Sequence, residues 1–243
     1  MGRIFYILCL AFSLLCVAIF FLSCTKGYRI KGTSDIQSID GKTITLKASH
    51  NGEWRTLDSC EIIHGKFRMK GKTDTTLITT LFLDGEAIMP MILEPGDIDI
   101  TVSNIRLKAE GTRLNDSLYQ FIARKYRLDL RAIELERMEA QMIMNGHDQP
   151  TIQHRMDSTY QSLRNEMHSL VLSFIGKNYD NALSLCGFSM LCNGLPYPII
   201  TPLIQAVIDD APKAFLEHPT ISKFLRTAHE NTERYGVAEA NYQ

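Results

Sequence analysis

The feature that most constrains this chain is a change of hydrophobic period at Gly111-Thr112. Before it, from Tyr28 to Gly111, short apolar/polar alternations are punctuated by turn residues; after it, apolar positions recur at steps of three and four. A chain that switches period once in this way builds a sheet first and helices second. The expected class is α+β, an N-terminal antiparallel β-sandwich or partly open barrel followed by an α-helical region with a long helical hairpin.

The strand part can be read in detail. Thr43-Ile44-Thr45-Leu46 alternates after the turn Asp40-Gly41, and Glu61-Ile62-Ile63 passes through His64-Gly65 into Lys66-Phe67-Arg68-Met69-Lys70. Leu77 to Leu83 meets Asp84-Gly85, Ala87 to Leu93 runs into Glu94-Pro95-Gly96-Asp97, and Ile98 to Val102 alternates again. About seven or eight strands at this spacing predict a sandwich or open barrel. Past Gly111, Asn115 or Asp116 is placed to cap a helix carrying Leu118, Phe121, Ile122, Leu128, Ile133, Leu135, Met138 and Met142 as far as Asn145-Gly146. Pro150 opens a second helix with Ile152, Met156, Tyr160, Leu163, Met167, Leu170, Val171 and Phe174, and the short link makes the pair an antiparallel hairpin of about 40 Å. Pro196, Pro198 and Pro219 divide the rest into shorter helices, Asn181 to Cys192, Thr201 to Asp210, Lys213 to Glu217 and Thr220 to Tyr235.

The N-terminus carries a different signal. One positive charge, Arg3, precedes an apolar run from Ile4 to Ser23, and the run closes on Phe21-Leu22-Ser23-Cys24. An apolar residue, two small or apolar residues and a cysteine are the pattern of a bacterial lipoprotein signal, in which the thiol takes diacylglycerol before cleavage. The expected organisation is a signal peptide at residues 1–23, a β-rich domain at 24–112 and a helical region at 113–243. Cys24 is the expected lipidation site, bearing covalent diacylglycerol and an N-acyl chain, with an uncleaved anchor helix as the alternative. Cys9 and Cys16 then leave with the signal, and Cys60, Cys186 and Cys192 remain, an odd set that does not make a disulfide framework.

Charge and motifs exclude more than they select. The chain has 26 basic and 27 acidic residues, and Arg124, Lys125, Arg127 and Arg131 are followed by Glu134, Glu136 and Glu139, a sign alternation that reads as a solvated helix face. No nucleic-acid partner is expected. Gly41-Lys42-Thr43 lacks the first glycine of a phosphate loop, since Ile36 stands there. Gly187-Phe188-Ser189-Met190-Leu191 lacks the last glycine of a nucleophile elbow, and His229-Glu230 lacks a histidine at Glu233. Cys186 and Cys192, six residues apart on one helix, differ by about 9 Å in rise and about 240° in rotation, too far for a disulfide. Asp97 with Asp99, and Asp209 with Asp210, read as solvated carboxylates, and Trp54 beside His50 and Asn51 as an indole covering a sheet end. No metal, cofactor or catalytic residue is expected.

One resemblance organises the turn residues. Ile30 and Gly32, Asp40-Gly41-Lys42, Asp58-Ser59, Gly65-Lys66-Phe67, Gly71, Glu94-Pro95-Gly96, Gly111-Thr112 and Asn115-Asp116 form a series over residues 28 to 120. The series resembles the β-rich domain of unknown function in exported Bacteroidota lipoproteins, often placed before a thioredoxin-like domain. Glu217-His218-Pro219 resembles the connector that precedes thioredoxin there, but this chain contains no Cys-x-x-Cys, so no oxidoreductase activity carries over. The resemblance implies a cell-envelope protein, lipid-anchored to a membrane. Such lipoproteins bound for the cell surface are usually acidic after the cysteine, and Thr25-Lys26 is not, which favours the outer membrane facing the periplasm. The expected function is a non-enzymatic module binding an envelope protein, peptide or glycan. The alternatives are a thiol-redox accessory using Cys60, Cys186 or Cys192 with a separate thioredoxin-like partner, and a hydrolase without a linear motif.

Overall fold

The computed structural model describes residues 27–50 and 52–235. Cys24, the signal segment, Asn51 and the side chain of His50 lie outside the described residues. Eight strands come first: β1 (Gly27–Ser34), β2 (Thr43–His50), β3 (Glu53–Glu61), β4 (Lys66–Lys72), β5 (Leu77–Leu83), β6 (Glu86–Leu93), β7 (Gly96–Val102) and β8 (Leu107–Glu110). They make two four-stranded sheets, ordered β4-β1-β7-β8 and β3-β2-β5-β6, so the β part is a sandwich and not a closed barrel. Every pairing is antiparallel except β1 with β7. The inner faces meet through Ile30, Ile44, Leu46, Leu81, Met91, Ile98 and Ile100, all essentially buried.

The tight turns follow from their residues. His64-Gly65 and Asp84-Gly85 both have positive φ at the two central positions, the geometry that matches the right-handed twist of the flanking strands. Two glycines of the turn series have another role. Gly32 and Gly71 lie inside β1 and β4, directly opposite Phe67 and Tyr28. A Cβ on Gly32 would come within 1.9 Å of the Phe67 ring, and one on Gly71 within 2.6 Å of the Tyr28 hydroxyl. Each is small because a cross-strand aromatic ring lies over it.

Six helices follow, α1 (Arg113–Met144), α2 (Gln149–Gly176), α3 (Ala182–Cys192), α4 (Pro202–Asp209), α5 (Lys213–Leu216) and α6 (Pro219–Tyr235). Local caps set several starts: Asp148 accepts from the Thr151 amide, Asn181 from Leu183 and Thr201 from Ile204. Along α1 the buried apolar positions Leu114, Phe121, Leu128, Leu135 and Met142 fall every seven residues, a coiled-coil seam. Leu128, Leu135 and Met142 meet Ile152, Met156 and Leu163 of α2 in a core of their own. Because two helices bury only a narrow seam, the wider stripe expected from the sequence is not all internal: Ile133 is 60% and Met138 41% exposed.

The start of α1 also differs from expectation. Its N-cap is Thr112, which makes no side-chain cap, while Asn115 is fully buried and turned toward the sheet. The Asn115 side chain accepts from the Ile92 amide (2.9 Å) and donates to the Ile92 carbonyl (2.7 Å) and the Thr112 hydroxyl (2.8 Å). Two residues back, the Tyr119 hydroxyl donates to the Pro90 carbonyl (2.7 Å). β6 is the outer strand of its sheet, so these outward backbone groups have no neighbouring strand. Pro90 has no amide to satisfy and Ile92 has both groups, and α1 supplies the match in each case. Asp116 accepts instead from the Gly111 amide, and Glu94 from that of Leu114. Leu114, Leu118, Leu183 and Cys186 complete the sandwich core, so helices and sheets share one apolar interior.

Candidate functional site

Between α1 and α2 lies a cleft of about 730 Å³. On α1 it is lined by Ser117, Gln120, Arg124, Arg127 and Arg131; on α2 by Glu166, Ser169 and Ser173, with Lys177 at its C-cap. Arg124, Arg127 and Arg131 are spaced by three and four, which puts them on one helical face. The floor is apolar. Phe121 and Phe174 stack with centroids 4.0 Å apart and planes 9° from parallel, and Leu128 and Leu170 extend it.

Four bases and one acid line the cleft. Arg131 forks onto Glu166 at 2.6 and 3.1 Å, which holds the Glu166 carboxyl below its ordinary pKa through that hydrogen bond. Lys125, on a neighbouring face, is taken by Asp129. Arg124, Arg127 and Lys177 have no ion pair among the described residues. Guanidinium groups present paired N–H donors that match carboxylate and phosphate oxygens. Chemically, the cleft offers donors and positive charge above an aromatic floor. Glu166, its one acid, is held ionised by Arg131. In the linear sequence these arginines look neutralised by the acids that follow, but Glu134, Glu136 and Glu139 lie beyond the cleft along α1. The signal that finds the site is the shared face of three arginines set opposite the serines of α2 and its C-cap residue Lys177.

The residues singled out from the sequence are dispersed. Cys60 sits on β3 opposite Ile44, and its thiol pKa is raised by burial, with the Asp58 charge adding and a backbone hydrogen bond opposing. Burial pushes Cys186 up to about 11 and Cys192 up to about 12. All three are free thiols, and each is held in its protonated, weakly nucleophilic form. Asp97 is gripped by Arg29 at 2.6 and 2.7 Å. Asp209 accepts from Gln205, and Trp54 stands 53% exposed with its edge on Phe82. Gly187 to Leu191 lies within α3, His229-Glu230 on α6, and Gly41-Lys42 in the turn before β2. No cluster of three or more His, Cys, Asp or Glu side chains among the described residues is placed to hold a metal ion.

Residues 28–118 match the family model described as a domain of unknown function (DUF4369). The resemblance carried by the turn and glycine series therefore holds over that segment, and no thioredoxin-like domain is matched. No curated protein matches the chain.

Proposed function

We propose that this chain, whose residues 28–118 match the DUF4369 model, is a membrane-anchored envelope lipoprotein that acts as a non-catalytic binding module. Its cleft between α1 and α2 takes the anionic part of an envelope protein, peptide or glycan. The observation that carries this reading is the set of three cations without an ion pair among the described residues, Arg124, Arg127 and Lys177, over the Phe121–Phe174 floor. Cations crowded without partners repel one another, and an incoming carboxylate or phosphate removes that cost. A volume of about 730 Å³ suits a short acidic segment or a few sugars and not a folded domain. The raised thiol pKa values favour binding over the thiol-redox alternative, which needs an accessible thiolate.

The lipid on Cys24 tethers the module to the outer membrane on its periplasmic side in this reading. Mass spectrometry of the membrane-extracted protein should show an acylated N-terminus at Cys24; an intact Met1 would replace the lipoprotein by an anchor helix. The cleft is tested by calorimetric titration of the protein with a glutamate-rich peptide and a uronic-acid oligosaccharide, each beside its neutral counterpart. Binding of an acidic probe that falls tenfold or more in the double variant Arg124→Ser, Arg127→Ser supports the site. Equal binding of neutral probes, or an unchanged affinity in the variant, would remove it.

A further inference from the structure

A second cationic surface lies on the opposite side of the sandwich from the helix-covered β6 edge. Along β4 the exposed residues are Lys66, Arg68, Lys70 and Lys72, every second position, while Phe67 and Met69 point inward. On the adjoining β1, Arg29 and Lys31 face the same way. The register sets Lys70 opposite Arg29 and Arg68 opposite Lys31, like charges directly across a ladder, which disfavours the pairing. The acids of this face, Asp97, Asp99 and Glu110, are all on β7 and β8. Asp97 is taken by Arg29 and Glu110 by Lys108. Lys66, Arg68, Lys70 and Lys72 have no ion pair among the described residues. Charged side chains on β4 would serve to stop an edge strand from pairing, but the basic face continues onto Arg29 and Lys31 of β1, an inner strand, which that need does not explain.

We propose that the outer face of β4 and β1 lies against a bilayer of anionic phospholipid. The placement rests in part on the lipid-anchor reading. Gly27 opens β1 and is paired with Lys72, and only Thr25 and Lys26 separate it from Cys24. A tether that reaches at most about 10 Å keeps this end of the sheet within about one Debye length of the surface. Lys72, Lys70, Arg68 and Lys66 then run away from the anchor over about 20 Å, and a sheet lying on its face brings all four to the lipid headgroups. α1 docks on the edge of the other sheet, so the helices leave the β4 face uncovered.

The test reconstitutes the native protein in vesicles of phosphatidylcholine alone or with one-third phosphatidylglycerol. A membrane-impermeant amine reagent is then applied, and labelling of Lys66, Lys70 and Lys72 is read by mass spectrometry against Lys213 and Lys223. Each cation near an anionic surface raises the local population about fivefold. The β4 lysines should therefore label at least fivefold more slowly in the anionic vesicles only, with high salt restoring the rate. The variant Lys70→Glu replaces a like charge opposite Arg29 by an opposite one, so it should fold at least as well and yet lose protection at Lys66 and Lys72. Equal labelling in both vesicles overturns the proposal, as does protection by soluble DNA or polyglutamate without protection by vesicles. The N-terminal mass of the same preparation reads the anchor separately. Acylated protein with unprotected lysines removes the face and keeps the lipoprotein reading. Unacylated protein whose lysines are still protected by anionic vesicles removes the anchor and keeps the face.

Discussion

Replacing Asn115 by leucine should be among the most damaging single changes in this chain, although the residue is polar and sits at a helix start. The substitution removes three hydrogen bonds at 2.7 to 2.9 Å and leaves both the amide and the carbonyl of Ile92 without partners in a fully buried setting. Leaving a buried donor or acceptor unmatched costs about 1–3 kcal/mol. Two such groups, offset in part by the added apolar surface, give a net loss of about 3 kcal/mol. For a body of this size that lowers the melting temperature by about 6–12 °C. Urea titration followed by circular dichroism should show a lower midpoint at unchanged slope, and the Ile92 amide should lose its protection from hydrogen exchange. Asn115→Asp sharpens the test. Its carboxylate keeps an acceptor for the Ile92 amide but faces the Ile92 carbonyl, so burial and repulsion raise its folded pKa. A raised carboxyl pKa means that the folded state holds the proton more tightly, and this variant should regain stability as the pH falls toward about 4. A loss below about 1 kcal/mol in Asn115→Leu, or unchanged exchange at Ile92, would refute the edge-satisfaction argument.

Three further outcomes follow from the packing. Gly32→Ala forces its methyl into the Phe67 ring, and since Phe67 is itself buried the overpacking should cost about 1–3 kcal/mol in the same urea assay; a neutral effect would mean the ring has room to move. Tyr119→Phe orphans the Pro90 carbonyl alone and should cost about 1 kcal/mol, clearly less than Asn115→Leu. The raised pKa values of buried Cys186 and half-buried Cys192 make stability fall with alkali. Their folded pKa values lie above the ordinary thiol value, at about 11 for Cys186 and about 12 for Cys192. The unfolded chain therefore ionises first, and stability declines as the pH rises through about 9 to 12. Tyr28 and Tyr160, raised to about 12 mainly by burial, act in the same direction. Cys186→Ala should flatten the lower part of that decline, and alkylation of the native protein at neutral pH should be slow at all three thiols.

What could be read from the sequence was whatever a few neighbouring residues decide. His64-Gly65 and Asp84-Gly85 announce their turns because both need positive φ, and Asn181, Thr201 and Pro150 mark helix starts because each cap or ring acts within a few residues. The change of period at Gly111-Thr112 stands one residue before α1. What could not be read depends on partners distant in the chain. That β1 runs parallel to β7 has no local signature. Gly32 and Gly71 look like turn residues until the opposing strand places an aromatic ring over each. Asn115 looks like a cap until the unpaired edge of β6 is brought against it, and then the edge, which offers two orphaned groups at Ile92, outcompetes the helix terminus, whose Leu114 amide has another acceptor in Glu94.

The cleft is the extreme case of this dependence. Its arginines belong to a helix whose overall charge alternates, and Ser169, Ser173 and Lys177 to another helix and its C-cap, so neither half is a motif. Phe121 explains why the two halves meet where they do. It lies in the seven-residue series between Leu114, which belongs to the sandwich core, and Leu128, which belongs to the two-helix core, and it packs itself in the third core with Val171 and Ile175. The stacked pair with Phe174 thus stands at the junction where α1 stops being supported by the body and is held by α2 alone. A side chain at that junction has packing on one side and solvent on the other, and the arginines above it need pair with nothing for the hairpin to form. Stability therefore leaves Arg124 and Arg127 free to vary, which is why the double serine variant isolates binding from folding.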